Sequence, residues 1–333
     1  MDDEVFARRD LIRPDRLKAL SVKSNQHGFL QLGGHVGAIV VTGVLLHLAW
    51  GTWIAVPVFL LHGTLINFLY AGQHEMSHWT VFETRKLNEI FGRVLGFVLI
   101  YPRDFDQIQH FAHHRYTQDL DRDGELAGRP PYTFGSYVLW LSGLTYWQTR
   151  VARIWRFTRG IVREPYIPEG RKAEVIREGR LHFAGYVLIA VLSLAFQSWF
   201  AVVYWLAPML LTKVTQQLQN TIEHLGLSHS ANIFENTRST RTNLLVRRMA
   251  WNMPYHTAHH AFPGVPFWQL PALDAEIAAS RGKAPPSMTY LGFQRRVLAA
   301  LWRVKSERDY PTNGIWITDD GIAAPVATEA SRA

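Results

Sequence analysis

Residues 24–73 read SNQHGFLQLGGHVGAIVVTGVLLHLAWGTWIAVPVFLLHGTLINFLYAGQ and contain no Lys, Arg, Asp or Glu. Residues 181–212, which read LHFAGYVLIAVLSLAFQSWFAVVYWLAPMLLT, are uncharged as well. A helix needs roughly 20 apolar residues to cross the core of a bilayer, so the first stretch is long enough for two crossings and the second for two slightly shorter ones. The sequence therefore predicts an all-α integral membrane protein with four transmembrane helices arranged as two hairpins.

The distribution of charge predicts the orientation of these hairpins. Their turns are expected near Gly51 and Gln197, where no charge is found, whereas Lys and Arg fill the N-terminal arm, the segment between the hairpins and the chain after Lys213. Since basic loops stay in the cytoplasm, both chain ends are expected on the inner side of a bacterial-type inner membrane. The formal net charge of +8 suits a basic face over anionic lipid. No nucleic-acid-binding motif is present, so we expect no nucleic-acid partner.

These features divide the chain into six predicted segments. In order, they are an interfacial N-terminal arm (1–23), the first hairpin with the first histidine group (24–78), a cytoplasmic and interfacial segment (79–180), the second hairpin with an Asn-x-x-x-His element (181–225), a helical cytoplasmic cap (226–315) and a disordered tail (316–333).

The chain contains no cysteine. Disulfides, thiolate nucleophiles and a built-in iron–sulfur cluster are therefore excluded. Any redox chemistry would need electrons from another protein.

Nine of the 15 histidines fall into four closely spaced groups. The groups are His74 with His78; His110 with His113 and His114; His224, four residues after Asn220; and His256 with His259 and His260. On a helix, separations of three and four residues put side chains on one face. All four groups fall on the predicted cytoplasmic side, although they are scattered over much of the chain.

This concentration of imidazoles predicts a centre with two metal ions. Buried imidazoles without partners are costly, so such clusters persist mainly where a metal takes their lone pairs. Zinc takes four ligands and iron about six, so nine histidines suit two metals with four or five each. Imidazole binds iron, copper, nickel and zinc; an oxygen-activating pair of irons fits best beside a membrane that can hold hydrocarbon.

The three boxes resemble the histidine boxes of the membrane fatty acid desaturase superfamily. They read His74-Glu-Met-Ser-His78, His110-Phe-Ala-His113-His114 and His256-Thr-Ala-His259-His260. Asn220-Thr-Ile-Glu-His224 is similar to the element that supplies a ninth histidine in such enzymes, with the asparagine reaching iron through water. The resemblance extends from about residue 33 to residue 275.

The resemblance implies the cofactor, the substrate class and the partners. The cofactor would be a di-iron centre that uses O2 as co-substrate, ligated by the nine histidines and, more weakly, by Asn220. The substrate would be an acyl chain or another lipid-like molecule that enters from the membrane. Electrons would come from a ferredoxin or a b-type cytochrome with its reductase.

Carboxylates near the boxes are candidates for orienting the imidazoles. They are Glu75, Asp106, Asp121 and Glu223. Each could equally form a surface salt bridge. For His35, His47 and His62 within the first hairpin, hydrogen bonds between helices are expected rather than metal binding.

Three alternatives to a desaturase stay open. Asn220 to Gly226 also resembles the matching motif of alkane hydroxylases, and related enzymes act on small metabolites, so a hydroxylase is possible. His74-Glu-Met-Ser-His78 is a literal H-E-x-x-H zinc protease motif, but a protease would leave both triplets and His224 unexplained. A metal transporter or sensor would need its ligands along a path within the bilayer, where these clusters do not fall.

Overall fold

The computed structural model describes residues 11–326, and within this range the chain is mostly helical. The α-helices are α1 (Pro14–Leu20), α2 (Asn25–Ala49), α3 (Ala55–Ser77), α4 (Arg85–Val98), α5 (Arg103–Tyr116), α6 (Phe134–Leu141), α7 (Leu144–Thr158), α8 (Lys172–Ala195), α9 (Ala207–Leu211), α10 (Lys213–His224), α11 (Ile233–Asn236), α12 (Leu244–Met249), α13 (His256–Ala261), α14 (Leu270–Arg281) and α15 (Tyr290–Arg303). Two short strands, β1 (Ser239–Thr240) and β2 (Ser287–Met288), pair in parallel.

The chain divides into two compact units, which we call the apolar unit and the histidine unit. The apolar unit comprises Ser24–Gln109 and Trp140–Gln217. The histidine unit comprises the described parts of Met1–Lys23, His110–Leu139 and Leu218–Ala333.

The apolar unit contains three helical runs that are long and apolar enough to cross a membrane. They are Asn25–Ala49, Ala55–Ser77 and Glu169–Ala195. Ser24 caps the first of them, since its side chain accepts a hydrogen bond from the backbone N–H of His27. The turn after α2 lies where the sequence predicted it, and Gly51 adopts a φ of +83° there, a conformation that glycine takes without steric cost.

The second hairpin differs in detail from the prediction. Helix α8 already begins at Lys172, so its first two turns carry charged residues ahead of the apolar stretch. The expected fourth crossing is an interrupted helix: a five-residue π-helical turn, Val202–Leu206, leads directly into α9. Because the interruption shortens each regular piece, this segment is not among the three long apolar runs.

Pro208 explains the interruption. Proline has no backbone N–H, so it cannot donate to the carbonyl four residues earlier, and its ring collides with that carbonyl in a regular helix. That carbonyl belongs to Tyr204, and it accepts a hydrogen bond from Nε2 of His62 on α3 at 2.8 Å. Without this hydrogen bond the Tyr204 carbonyl would have no donor in apolar surroundings, so His62 satisfies it.

His62 and His35 thus have the helix-to-helix role that the sequence predicted. Nδ1 of His62 also lies 2.8 Å from Oγ1 of Thr42 on α2. Nε2 of His35 lies 2.9 Å from the carbonyl oxygen of Leu65. These imidazoles connect α2, α3 and the interrupted helix.

The histidine unit is built around short helices with a buried apolar core. Trp251, Phe293 and Val297 are fully buried in it. The C-terminal segment joins this core: Trp316 and Ile317 are also buried, and Ile317 pairs with Ile322 in an isolated β-bridge. The sequence placed these residues in the predicted disordered tail, 316–333, because its last residues are rich in Ala with Thr, Ser and Glu; residues 327–333 of that predicted tail lie outside the described part of the chain.

Candidate metal centre

Helix α5 presents the first histidine triplet. His110, His113 and His114 occupy its second half, where separations of three and four residues place them on one side. The rings of His110 and His114 meet edge to face with centroids 4.3 Å apart.

Helix α13 presents the second triplet from a fully buried turn of helix. All six of its residues are buried, and His256, His259 and His260 make up half of them. A buried helix this short contributes little stability of its own, which indicates that the surrounding unit holds it in place.

His224 is the last residue of α10, and a buried arginine fixes that helix end. Arg238 is 1% exposed, and its guanidinium donates to the carbonyl oxygens of Ile222 at 2.7 Å, Leu225 at 3.0 Å and Ile317 at 2.8 Å. Burial lowers the pKa of Arg238 to about 9, so it stays charged at neutral pH. The last carbonyls of a helix lack intrahelical donors and favour a cation, so Arg238 stabilises the position of His224.

Two imidazole clusters form within the histidine unit. In the first, His113, His224, His256 and His260 each offer a ring nitrogen, and these atoms all lie within 4.8 Å of one another. In the second, ring nitrogens of His110, His114 and His259 lie within the same distance of one another. The clusters are adjacent, because the rings of His114 and His260 stack with centroids 4.1 Å apart.

Hydrogen bonds at Nδ1 decide which nitrogens face the centre of the first cluster. Nδ1 of His224 lies 3.0 Å from the carbonyl oxygen of Asn236, which can only accept, so this nitrogen carries the hydrogen. Nδ1 of His113 lies 2.9 and 3.0 Å from the two carboxylate oxygens of Asp123. Nε2 of both rings is left to face inward.

The inward-facing nitrogens are closely packed. Nε2 of His224 lies 3.2 Å from Nε2 of His113 and 2.9 Å from Nε2 of His256. Ligand nitrogens about 2.1 Å from a metal and at right angles to one another are about 3.0 Å apart. The observed separations are therefore those of neighbouring ligands around one metal ion, and a donor set made of imidazoles suits iron, copper, nickel or zinc.

The electrostatics of the cluster keep most of these nitrogens available. Burial, together with the nearby His113, lowers the pKa of both His224 and His259 to about 3. Burial and the neighbouring imidazoles hold the pKa of His260 well below its usual value. At neutral pH these rings are neutral, which is the form that binds a metal.

His113 differs from its neighbours. Burial alone would lower its pKa, but the negative charges of Asp123 and Glu125 outweigh burial and raise the pKa to about 9. Asp123 is affected in turn: burial would raise its pKa, and the contact with His113 lowers it. At neutral pH the pair is an imidazolium and a carboxylate, and a cation bound at Nε2 of His113 would displace its proton and leave the negative charge of Asp123 nearby.

The remaining predicted ligands are found at helix ends or one turn away from them. His74 is in the last turn of α3 and His78 follows that helix as its C-cap, with ring centroids 5.8 Å apart; both belong to the apolar unit. Asn220 lies on α10, one turn before His224, and is half-buried. Metal ligation by these three residues stays a prediction.

Of the two candidate carboxylates in the histidine unit, Glu223 lies near a histidine, whereas the role predicted for Asp121 belongs to Asp123, two residues later. Asp121 is exposed, and Asp123, which is 1% exposed, makes the contact with His113 instead. Oε1 of Glu223 lies 3.6 Å from Nδ1 of His256. Burial raises the pKa of Glu223 well above its usual value.

The other two candidates are buried within the apolar unit and are not surface salt bridges. Oε2 of Glu75 accepts a hydrogen bond from Thr80 at 2.9 Å. Asp106 accepts a hydrogen bond from Gln73 at 3.0 Å.

Sequence reasoning missed three residues of the site, which are Asp123, Asn236 and Arg238. Asp123 is one of three aspartates that alternate along the chain with Asp119 and Asp121, and the sequence has no signal that selects one of them. The choice is made by the turn after α5, where Gln118 has a φ of +70° and its backbone N–H donates to Asp123 at 2.9 Å. Asn236 and Arg238 act through a carbonyl and a buried guanidinium, and neither role has a sequence motif.

Long apolar helices and adjacent imidazole clusters define a class of protein: a helical membrane protein with histidine clusters that could hold metal ions. The comparison with protein families gives the particular family. The model for the fatty acid desaturase family matches residues 34–292, which is most of the chain, and the protein therefore belongs to this family. It is an oxidoreductase, and membership of this family argues against the protease interpretation of His74-Glu-Met-Ser-His78.

Curated relatives are desaturases of low sequence identity. The chain is 22% identical to the sn-1 oleoyl-lipid 12-desaturase of Picosynechococcus sp. over 267 residues, which is 74% of this chain and 76% of the relative. It is 22% identical to the sn-1 acyl-lipid omega-3 desaturase (ferredoxin) of Synechocystis sp., over 79% of this chain and 77% of the relative. It is 23% identical to the dihydrorhizobitoxine desaturase of Bradyrhizobium elkanii, over 70% of each chain.

Proposed function

We propose that this protein is an O2-dependent di-iron desaturase that acts on an acyl chain held in or delivered from the membrane. The observation that carries the proposal is the first imidazole cluster of the histidine unit, where four ring nitrogens are grouped around one position. Family membership supplies the reaction type.

The ligands divide into two sets. His113, His224, His256 and His260 would hold one iron. His110, His114 and His259 would hold part of the shell of the other, which His74 and His78 complete, and Asn220 would act through a bound water. This division uses all nine grouped histidines and gives each metal four or five nitrogens, as the count of imidazoles in the sequence requires.

The overall reaction defines what the chain must provide. Desaturation removes two hydrogens from adjacent carbons, so that R–CH2–CH2–R′, O2, two electrons and two protons give R–CH=CH–R′ and two waters. When bound, the iron pair supplies the oxidising power for breaking an unactivated C–H bond. No side chain of the protein is a strong enough base for that step.

The residues of the chain orient the ligands and exclude water. Asp123 and the carbonyl of Asn236 hold the Nδ1 hydrogens of His113 and His224, so that the lone pairs of Nε2 point inward. His256, His259 and His260 are no more than 3% exposed, which keeps bulk water from the second triplet. A dry site limits side reactions of the oxidant.

The relatives support a lipid-linked acyl substrate without fixing its identity. Two of them are named for sn-1 acyl-lipid desaturation, and a third is named for dihydrorhizobitoxine. We favour an acyl lipid because two long uncharged stretches of the chain would place the centre next to the bilayer.

Electrons must come from a separate protein, because the chain has no cysteine for an iron–sulfur cluster. One relative carries the word ferredoxin in its name. We propose a ferredoxin or a b-type cytochrome, each with its reductase, as the donor.

Reconstitution tests the proposal. The protein would be expressed with a ferredoxin, its reductase and O2, and lipids and small metabolites would be profiled by mass spectrometry. A product two mass units lighter than its precursor is expected, and His113→Ala should abolish it. His229→Ala is the matched control, since this histidine of the same unit belongs to neither cluster.

Two results would contradict the proposal. A gain of sixteen mass units would identify a hydroxylase, which shares the first hydrogen abstraction. Purified active protein with one zinc per chain instead of two irons would exclude the di-iron centre.

A further inference from the structure

The outer face of α15 in the histidine unit is apolar and basic. Leu291 and Trp302 are 62% and 74% exposed. They are eleven residues apart, which is about three helical turns, so they lie on the same face. Arg295, between them on that face, is exposed as well. The opposite face, with Phe293 and Val297, is fully buried in the core of the unit.

At its beginning, this face continues onto α12. Strands β1 and β2 pair in parallel, and a helix follows each of them after no more than three residues, α12 after β1 and α15 after β2. The two helix starts are therefore neighbours. Leu244 and Leu245 at the start of α12 are 65% and 78% exposed.

At its other end, the face continues onto α6. The ring of Trp302 meets that of Phe134 edge to face, with centroids 4.9 Å apart. Val138, one turn further along α6, is 43% exposed. Exposed apolar side chains thus lie at both ends of α15 and on the helix next to each end, with Arg295 between them. Isolated exposed leucines would need no explanation, but a group of this extent does.

The charge of these helices has one sign. α6, α12 and α15 contain no Asp or Glu, whereas α12 and α15 contain five arginines. Arg248, Arg295 and Arg303 are exposed. Exposed Leu and Trp interleaved with Arg are the composition of a helix that lies in the headgroup layer of an anionic bilayer.

We propose that this face, formed by α15 with the start of α12 and by α6, is a membrane-contact surface of the histidine unit. Leu244, Leu245, Leu291 and Trp302 would enter the boundary between headgroups and acyl chains, and the arginines would contact lipid phosphates. A bilayer is the occupant that the chain itself brings, since its long apolar helices require one. A hydrated acidic protein would pair with the arginines but would leave four large apolar side chains in water.

The proposal does not depend on the metal centre, and the absence of cysteine in the native chain makes it directly testable. Single-cysteine variants Leu291→Cys and Trp302→Cys would be labelled with an environment-sensitive fluorophore. Each would be reconstituted at one chain per nanodisc, in mixed phosphatidylcholine and phosphatidylglycerol. Ser280→Cys is the matched control, because Ser280 is exposed on α14 of the same unit and lies outside the apolar face.

Labels at residues 291 and 302 should be quenched by nitroxide-bearing lipids and should be at least about threefold less accessible to aqueous iodide than the label at 280, since the apolar face of an interfacial helix is buried about 5–10 Å into this boundary. Equal iodide quenching at all three positions would overturn the proposal. Protection that arises only when several chains share a liposome, or only after ferredoxin is added, would also overturn it, because the occupant would then be a second copy or the donor.

Discussion

At the scale of single residues, Asp123 is the first test of the metal centre. It holds Nδ1 of His113 with two short contacts and is almost fully buried. Asp123→Asn keeps the shape but removes the charge that orients the imidazole and favours a bound cation. We expect the affinity for iron to fall about 10- to 100-fold, measured by competition with a calibrated chelator.

Asp121→Asn is the control for this variant. The side chain is two residues away and exposed, so its replacement should leave iron affinity unchanged. An equal loss in both variants would mean that the general charge of this turn, and not the contact with His113, is responsible.

Asp274 on α14 gives a prediction about pH. Burial raises its pKa to about 6, and no donor among the described residues pairs with its buried Oδ1. The folded protein thus binds this proton more tightly than the unfolded chain does, so the carboxyl lowers stability increasingly as the pH rises from about 4 to about 6. Above that range the cost is constant.

Asp274→Asn should therefore stabilise the protein by about 1–2 kcal/mol at pH 8, after allowance for partial exposure. The gain should shrink as the pH is lowered towards 5. Thermal unfolding in detergent at both pH values measures it, with Asp320→Asn at an exposed position as a control that should change little. A gain of the same size at both pH values would argue against titration of Asp274.

At the scale of elements, the interrupted helix before α10 depends on His62. Its Nε2 pairs with the Tyr204 carbonyl that Pro208 leaves without a donor. His62→Leu introduces an apolar side chain of similar size and leaves this carbonyl unpaired. We expect a loss of about 1–2 kcal/mol, seen as a lower unfolding temperature in detergent.

His47→Leu is the comparison for that variant. Nδ1 of His47 lies 2.9 Å from the hydroxyl of the same Tyr204, but this contact is exposed and the hydroxyl can pair with water. If both variants lose the same stability, the backbone carbonyl is not what His62 protects.

These elements also show where sequence reasoning succeeds. Charge-free stretches and the three- and four-residue spacing of histidines are local signals, so they predicted the long helices and brought His113, His224, His256 and His260 into one hypothesis. The sequence could not predict which side chains meet once the chain has folded. It did not show which aspartate contacts His113 on α5, or that the carbonyl of Ile317 accepts a hydrogen bond from Arg238. Pro208 is visible in the sequence, but the π-helical turn before it depends on a donor from α3.

At the scale of the whole molecule, the first imidazole cluster constrains how the chain crosses the membrane. His113 precedes α8, and His224 follows the interrupted helix, yet their Nε2 atoms lie 3.2 Å apart. The chain between them must cross an even number of times. If α8 crosses once, the interrupted helix that precedes α10 must bring the chain back.

We therefore expect four crossings, with both chain ends and the metal centre in the cytoplasm. Fluorescent-protein fusions, which fold only inside, should be bright at the C-terminus, and alkaline phosphatase fusions, which fold only outside, should be active after residues 52 and 198. Three crossings would instead place the C-terminus outside and separate His224 from His113 by the membrane. An active phosphatase at the C-terminus would thus contradict the topology and the proposed di-iron centre together, whereas loss of a single metal ligand would affect the centre alone.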